Sequence, residues 1–201
     1  MLHIYIIGVI VLLFLAVFFY EVYFLRNPHR VIPDDKKGIV SPADGRVIRV
    51  VEFDEGSINY LKGIGSVDIK LDDIAKKGYL ISIFMGPLDV HYNRSPVEGK
   101  IVNQEYKKGG FNPAFRTSSF LKNEQNEITI QGNHKIKVVQ VAGIIARKIK
   151  SYVFQGQKVE KGQQLGLIKL GSQVTLVIPK ELKPKIKKGD KLKAGESIIA
   201  D

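Results

Sequence analysis

The chain has 201 residues, enough for one domain with an appendage, and its 31 Lys and Arg against 20 Asp and Glu give a net charge of +11. It contains no cysteine, which excludes disulfides and thiolate chemistry and leaves a serine hydroxyl as the first candidate for covalent work. The basic balance suggests nucleic acid, but no base-stacking motif or recognition helix accompanies it, and a membrane-facing basic surface accounts for it better.

Residues 4–25 form one apolar run, broken only by Glu21 near its end. As a helix it measures about 33 Å, enough to cross a hydrocarbon core of ~30 Å. No basic segment precedes it and no small-residue cleavage site follows, so it reads as an uncleaved anchor over residues 1–26 rather than a signal peptide. Arg26, His29, Arg30, Lys36 and Lys37 follow the run, which predicts a C-terminal body on the cytoplasmic side. Tyr20 and Tyr23 sit where interfacial aromatics anchor such a helix.

Residues 27–38, with two prolines, charges and a closing glycine, read as a linker. From residue 39 the pattern is mainly β, in a β-rich α+β domain. The expected strands are 45–53, 80–85, 97–102, 127–130, 135–141 and 174–178, short and β-branched between turn residues. Residues 141–149 are the best short helix candidate. Two internal echoes stand out: 156–168 against 186–199, and Ser41-Pro-Ala-Asp-Gly45 against Ser95-Pro-Val-Glu-Gly99. Such units resemble the hammerhead turns of biotinyl- and lipoyl-carrier domains and suggest a flattened β-sandwich with related halves.

Polar residues concentrate beside these strands. Asp44 is exposed by a turn, which by itself reads as a solvated type I turn. In Phe84-Met-Gly-Pro-Leu-Asp-Val-His-Tyr-Asn-Arg-Ser-Pro96, Asp89 and His91 share a side of an extended segment, so the carboxylate is positioned to orient the imidazole. A surface loop with a hydrogen-bonded histidine fits the same spacing. Lys107, Lys108, Gly110 and Phe111 belong to a Gly-rich basic and aromatic segment suited to a phosphate, and equally to an open loop. Four scattered histidines and no paired carboxylates leave no metal site to expect. In Lys169-Leu-Gly-Ser-Gln-Val-Thr-Leu-Val-Ile178, Ser172 opens a β-branched strand directly after Gly171. Most Gly-Ser pairs are plain turns. With a base and a strained setting, however, the hydroxyl can attack the preceding carbonyl and cut the backbone.

In order and spacing, these segments resemble the phosphatidylserine decarboxylases, in their short, archaeal-type form. The resemblance spans Phe24-Leu-Arg-Asn-Pro-His-Arg30, the Ser41–Gly45 and Phe84–Pro96 segments, Gly110-Phe111, Asn123–Asn126, Gln140–Gly143 with Ala146-Arg147, and Leu170-Gly-Ser172. It implies a proenzyme whose decarboxylase domain, 39–201, is cut between Gly171 and Ser172, leaving a β chain 1–171 and an α chain 172–201. Ser172 would become a pyruvoyl cofactor that forms a Schiff base with phosphatidylserine in an anionic membrane, releasing CO2 and phosphatidylethanolamine. Asp44 and His91 would assist, Arg94 would join Lys107, Lys108, Gly110 and Phe111 at the substrate, and the enzyme would be a homodimer without nucleic acid.

The chain departs from the family's longer members in having Arg94 where they carry a second histidine, the one assigned to an Asp-His-Ser triad. Gln173 replaces a common threonine and Gly86 a frequent serine. The competing reading is a non-catalytic, membrane-tethered biotinyl/lipoyl-like carrier or adaptor module. It keeps the hammerhead turns and the anchor, but neither repeat holds a modifiable lysine in a Met-Lys-Met or Asp-Lys-Ala turn.

Overall fold

The computed structural model describes residues 1–35, 37–54, 71, 73–109, 123–143, 148–169 and 172–201. The apolar N-terminus is helical: α1 (Leu2–Phe18) runs into a π-helical turn, Phe19–Phe24. Residues His3–Phe24, with mean hydropathy 2.6 and none of the apolar window buried, are long and apolar enough to cross a membrane. The helix does not end free. Phe24 is fully buried against the body, and the Arg26 guanidinium donates to the carbonyls of Tyr23 and Leu88 while lying 4.0 Å above the Tyr23 ring.

Among the described residues thirteen strands follow: β1 (Ile39–Val40), β2 (Gly45–Phe53), β3 (Gly78–Met85), β4 (Tyr92–Arg94), β5 (Gly99–Lys107), β6 (Gln125–Gln131), β7 (Lys135–Val141), β8 (Ile149–Ser151), β9 (Lys158–Val159), β10 (Gln164–Ile168), β11 (Ser172–Pro179), β12 (Lys191–Leu192) and β13 (Ile198–Ala200). Eight of them form an antiparallel sheet in the order β12-β2-β3-β11-β7-β6-β5-β9. A smaller sheet, β4-β10-β8, and the pair β1-β13 complete the body. Alternation along the central strands sends Ile81, Ile83, Ile128, Ile130, Ile136, Val138, Val174, Leu176 and Ile178 into the main core. Phe53, Leu80, Val139, Val141 and Val177 pack in a second cluster on the opposite parity, so the sheet is buried on both faces.

The expected strands all form, most of them longer by a few residues, and 135–141 matches β7. Of the helix expected at 141–149, only the ends are described, and both are strand. Val141 closes β7 and Ile149 opens β8, because both ends gain ladder hydrogen bonds in sheets that a short helix would forfeit; residues 144–147 lie outside the described residues.

The internal echoes are built alike. Gly156 and Gly162 recur as Gly189 and Gly195, all four with positive φ. The Gly162 N–H donates to Ser95 O and the Gly195 N–H to Ser41 O, each at 2.8 Å. The Gly156 N–H meets Ile101 O at 2.7 Å, and the Gly189 N–H meets Val47 O at 2.8 Å. Ser41 Oγ and Ser95 Oγ each donate to the carbonyl two residues on, at 2.7 and 2.6 Å. The two pairs of turns therefore share one geometry.

The segment after the helix is docked rather than loose. Arg30 pairs with Asp44, Asn27 Oδ1 accepts from Arg94, and Ile32 reaches both Gly162 and Gly195.

Candidate active site

Ser172 is the first residue of β11. The strand's alternation puts its side chain on the inner face with Val174, Leu176 and Ile178, at one end of the main core, and it is fully buried. Its register partner is Met85, the last residue of β3, and Ser172 Oγ bonds the Met85 sulfur at 3.4 Å. Asn93 Nδ2 donates to the same sulfur at 3.5 Å. Gly171 lies outside the described residues.

His91 is buried just before β4. Its Nδ1 is 2.9 Å from the Asp89 carbonyl oxygen. A carbonyl only accepts, so Nδ1 carries the proton and Nε2 keeps its lone pair. Nε2 is itself buried, with no hydrogen-bond partner among the described residues. Burial, outweighing the pull of Asp89, pushes the imidazole pKa down to about 4. The Phe24 ring covers it, with centroids 4.2 Å apart. The arrangement holds a neutral imidazole, ready to accept a proton, beneath the end of the N-terminal helix.

The Asp89 carboxylate does not orient this ring. It accepts the Gly86 N–H at 2.7 Å and closes the tight turn, while the Asp89 backbone carbonyl does the orienting. Asp44 is engaged elsewhere as well. Its oxygens accept from Arg30 Nη2 at 2.9 and 2.8 Å, and Oδ1 also accepts the Ala194 N–H at 2.7 Å. Among the described residues no hydrogen bond joins Asp44 to His91.

Arg94 donates to Gly162 O and Asn27 Oδ1, both at 2.9 Å, tying the docked segment to the Gly162 turn. Lys107 is held by Glu127 at 2.7 Å and Glu105 at 3.6 Å; burial opposes its charge, but the two carboxylates raise its pKa. Lys108 is exposed, and Gly110 and Phe111 lie outside the described residues. A cleft beside Asp44 and Asp89 carries three other cations, Arg46, Lys191 and Lys193, against Phe84.

Sequence reasoning about roles missed the amides. Gln140 Nε2 donates to Asn93 Oδ1 at 2.8 Å, Asn126 Nδ2 to Gln140 Oε1 at 2.7 Å, and Gln104 Nε2 to Asn126 Oδ1 at 3.2 Å. The available signal was an amide at an inward position of an otherwise β-branched strand, as in Lys135-Ile-Lys-Val-Val-Gln-Val141.

A buried serine at a strand start, a buried neutral imidazole and an apolar helix seated over it define a β-rich enzyme whose N-terminal helix is long and apolar enough to cross a membrane. The sequence profile described as phosphatidylserine decarboxylase matches residues 15–200. A phosphatidylserine decarboxylase proenzyme of Carboxydothermus hydrogenoformans is 41% identical over 190 residues, covering 94% of this chain and 82% of the relative. A chain of Methanothermobacter thermautotrophicus, provisionally named an archaetidylserine decarboxylase proenzyme, is 38% identical over 193 residues, covering 94% and 83%. A phosphatidylserine decarboxylase proenzyme of Geotalea uraniireducens is 38% identical over 188 residues, covering 92% and 81%. The chain belongs to the phosphatidylserine decarboxylase family and is a carboxy-lyase proenzyme, not a carrier module.

Proposed function

We propose that this protein removes the carboxyl group from the serine headgroup of a membrane phospholipid, converting phosphatidylserine to phosphatidylethanolamine and CO2, after cutting itself between Gly171 and Ser172. The observation that carries the reading is the buried Ser172 hydroxyl, whose sole partner among the described residues is a thioether, in a chain whose relatives are named proenzymes. A thioether is a weak acceptor, so the hydroxyl gives up little when it reacts.

In maturation His91 Nε2 takes the Ser172 proton while Oγ bonds the Gly171 carbonyl carbon. Nitrogen 172 leaves with a proton, and an ester joins the two segments. Elimination frees the β chain 1–171 as a carboxylate and leaves dehydroalanine at 172, whose hydrolysis releases ammonia and leaves a pyruvoyl group at the start of the α chain 172–201. The site fits that group, because among the described residues the departing hydroxyl held only the Met85 sulfur, and the nitrogen at 172 leaves as ammonia. When present, the pyruvoyl carbonyl supplies an electron sink for the pair left as CO2 departs.

Asp44 acts as a positioning residue through Arg30 and the Ala194 amide. The basic cleft at Arg46, Lys191 and Lys193 suits a headgroup phosphate, and Arg94, Lys107, Lys108, Gly110 and Phe111 remain candidates for it. Relatives named for phosphatidylserine and for archaetidylserine are about equally similar, which supports recognition of the serine phosphate headgroup rather than the lipid tail. Residues 1–26 anchor the chain with its body on the cytoplasmic side, as the basic flank favours. Seating Phe24 on His91 supports placing the chemistry at the membrane surface. The matched Gly162 and Gly195 turns support the hammerhead description of the two halves.

Intact mass of the purified protein tests the reading. Two fragments are expected, the smaller starting at position 172 with a ketone in place of its amine, and Ser172→Ala is expected uncut and inactive. A single unmodified chain that decarboxylates normally would overturn it.

A further inference from the structure

The buried amides form a one-way relay that ends at the Met85 sulfur, which Ser172 Oγ also contacts. Its polarity is anchored at the far end. Ser151 Oγ donates to Val153 O at 2.9 Å, and because that carbonyl can only accept, the hydroxyl must accept from Gln104 Nε2, also at 2.9 Å. With the Gln104 nitrogen facing Ser151, it also donates to Asn126 Oδ1; Asn126 then donates to Gln140, and Gln140 to Asn93. Each carbonyl is used by the amide before it, so the last NH2, that of Asn93, is left as a pure donor. Asn93, Gln140 and Asn126 are all fully buried. Gly166 makes room for the relay: a Cβ there would stand 3.1 Å from Gln140 Nε2 and 2.5 Å from Lys150 O.

Four amide and hydroxyl groups thus deliver a buried donor whose only acceptor among the described residues is the Met85 sulfur, which it shares with Ser172 Oγ. Buried polar groups normally find good partners, and a thioether shared by two donors is a poor one. We infer that Asn93 Nδ2 donates to the oxygen on which negative charge develops when Ser172 attacks, with the relay as its positioning device and the Met85 sulfur as a placeholder for that oxygen. The inference rests on the self-cleavage reading. In the step, the Ser172 proton passes to His91 Nε2, Oγ bonds the Gly171 carbonyl carbon, and the carbonyl π pair moves onto oxygen. When that pair returns, nitrogen 172 leaves and takes the proton. The fixed Asn93 dipole meets the charge without reorganising, an effect of about 10²–10³ in rate for one such donor.

The test is a time course of self-cleavage in the full chain, made by cell-free synthesis into anionic nanodiscs and read by intact mass. Asn93→Leu is expected to slow cleavage about 100-fold or more, whereas Met85→Leu, which keeps the volume, is expected to stay within about threefold of wild type. Asn93→Asp keeps the bond from Gln140 but donates only when protonated, so its cleavage is expected to speed up as pH falls from about 7 to 5, a trend absent from wild type. Wild-type speed in Asn93→Leu, or a pH-independent Asn93→Asp, overturns the donor role; if Asn93→Leu misfolds, the Asn93→Asp profile decides. A Met85→Leu loss as deep as that of Asn93→Leu overturns the placeholder role. Cleavage of Ser172→Ala would instead sink the underlying self-cleavage reading and leave the amides without that step.

Discussion

His91 holds a proton on Nδ1 and none on Nε2 because one nitrogen faces a carbonyl and the other is buried without a partner. The folded state resists a second proton, with a pKa of about 4 against an ordinary 6.5. Below pH 6.5 the unfolded chain binds a proton that the folded chain refuses, so stability falls as pH drops from 6.5 to 4 and is fully present above that window. By linkage the effect approaches about 3 kcal/mol. His91→Gln is expected to flatten the pH dependence of Tm between 4 and 6.5, and an unchanged slope would show that His91 does not cause it. Asp44 belongs to a different balance. Its pairing with Arg30, whose side chain is 6% exposed, leaves that guanidinium with Glu196 alone, at 3.6 Å, if the carboxylate is removed. Asp44→Ala is expected to cost about 1–3 kcal/mol in urea unfolding. If Asp44→Ala unfolds like wild type yet fails to cleave, its role is chemical rather than positional.

At the scale of elements, the N-terminal helix does more than its apolar composition required. Its last turn is π-helical, Tyr20 stacks on Phe24 at 5.5 Å, and Phe24 then roofs His91. Phe24→Ala is expected to admit water to the imidazole. The acid limb of the self-cleavage profile should then rise from about 4 toward 6.5, with the neutral-pH rate reduced less than the rate at pH 5. An acid limb that stays put would separate the anchor from the site. The strands themselves were legible because β-branched alternation is a local signal, and β7 shows it plainly. The ends of the 141–149 segment were not legible as strand because its apolar spacing suits a short helix, whereas the neighbouring β6, β10 and β11 offer Val141 and Ile149 ladder partners that no local pattern displays. The expected linker was legible as irregular chain, but not as a docked strap, since its partners Asp44, Arg94, Gly162 and Gly195 are distant in sequence.

Over the whole molecule, the two halves meet where Ile32 contacts Gly162 and Gly195, both at φ +78°. A Cβ would stand 2.3 Å from Ile32 Cδ1 at Gly162 and 2.9 Å at Gly195, on top of the left-handed strain. Gly162→Ala and Gly195→Ala are each expected to cost about 1–3 kcal/mol. Adding Ile32→Ala should recover only the steric part, and the difference is readable by thermal unfolding. Full recovery would mean that backbone strain contributes nothing at these turns.

The sequence by itself determined the anchor, the β-rich body, the paired turns and the residues able to do chemistry. Each of these is written in local composition, in period-2 alternation, or in motifs whose order identified a family. Only the tertiary structure decided how those residues are used. Asp44 is committed to Arg30, the Asp89 backbone rather than its carboxylate orients His91, and Ser172 shares one sulfur with an amide relay drawn from five separate segments. Hydrogen bonding and desolvation depend on which groups burial brings within about 3 Å of one another, and that is a property of the packed chain, not of spacing along it.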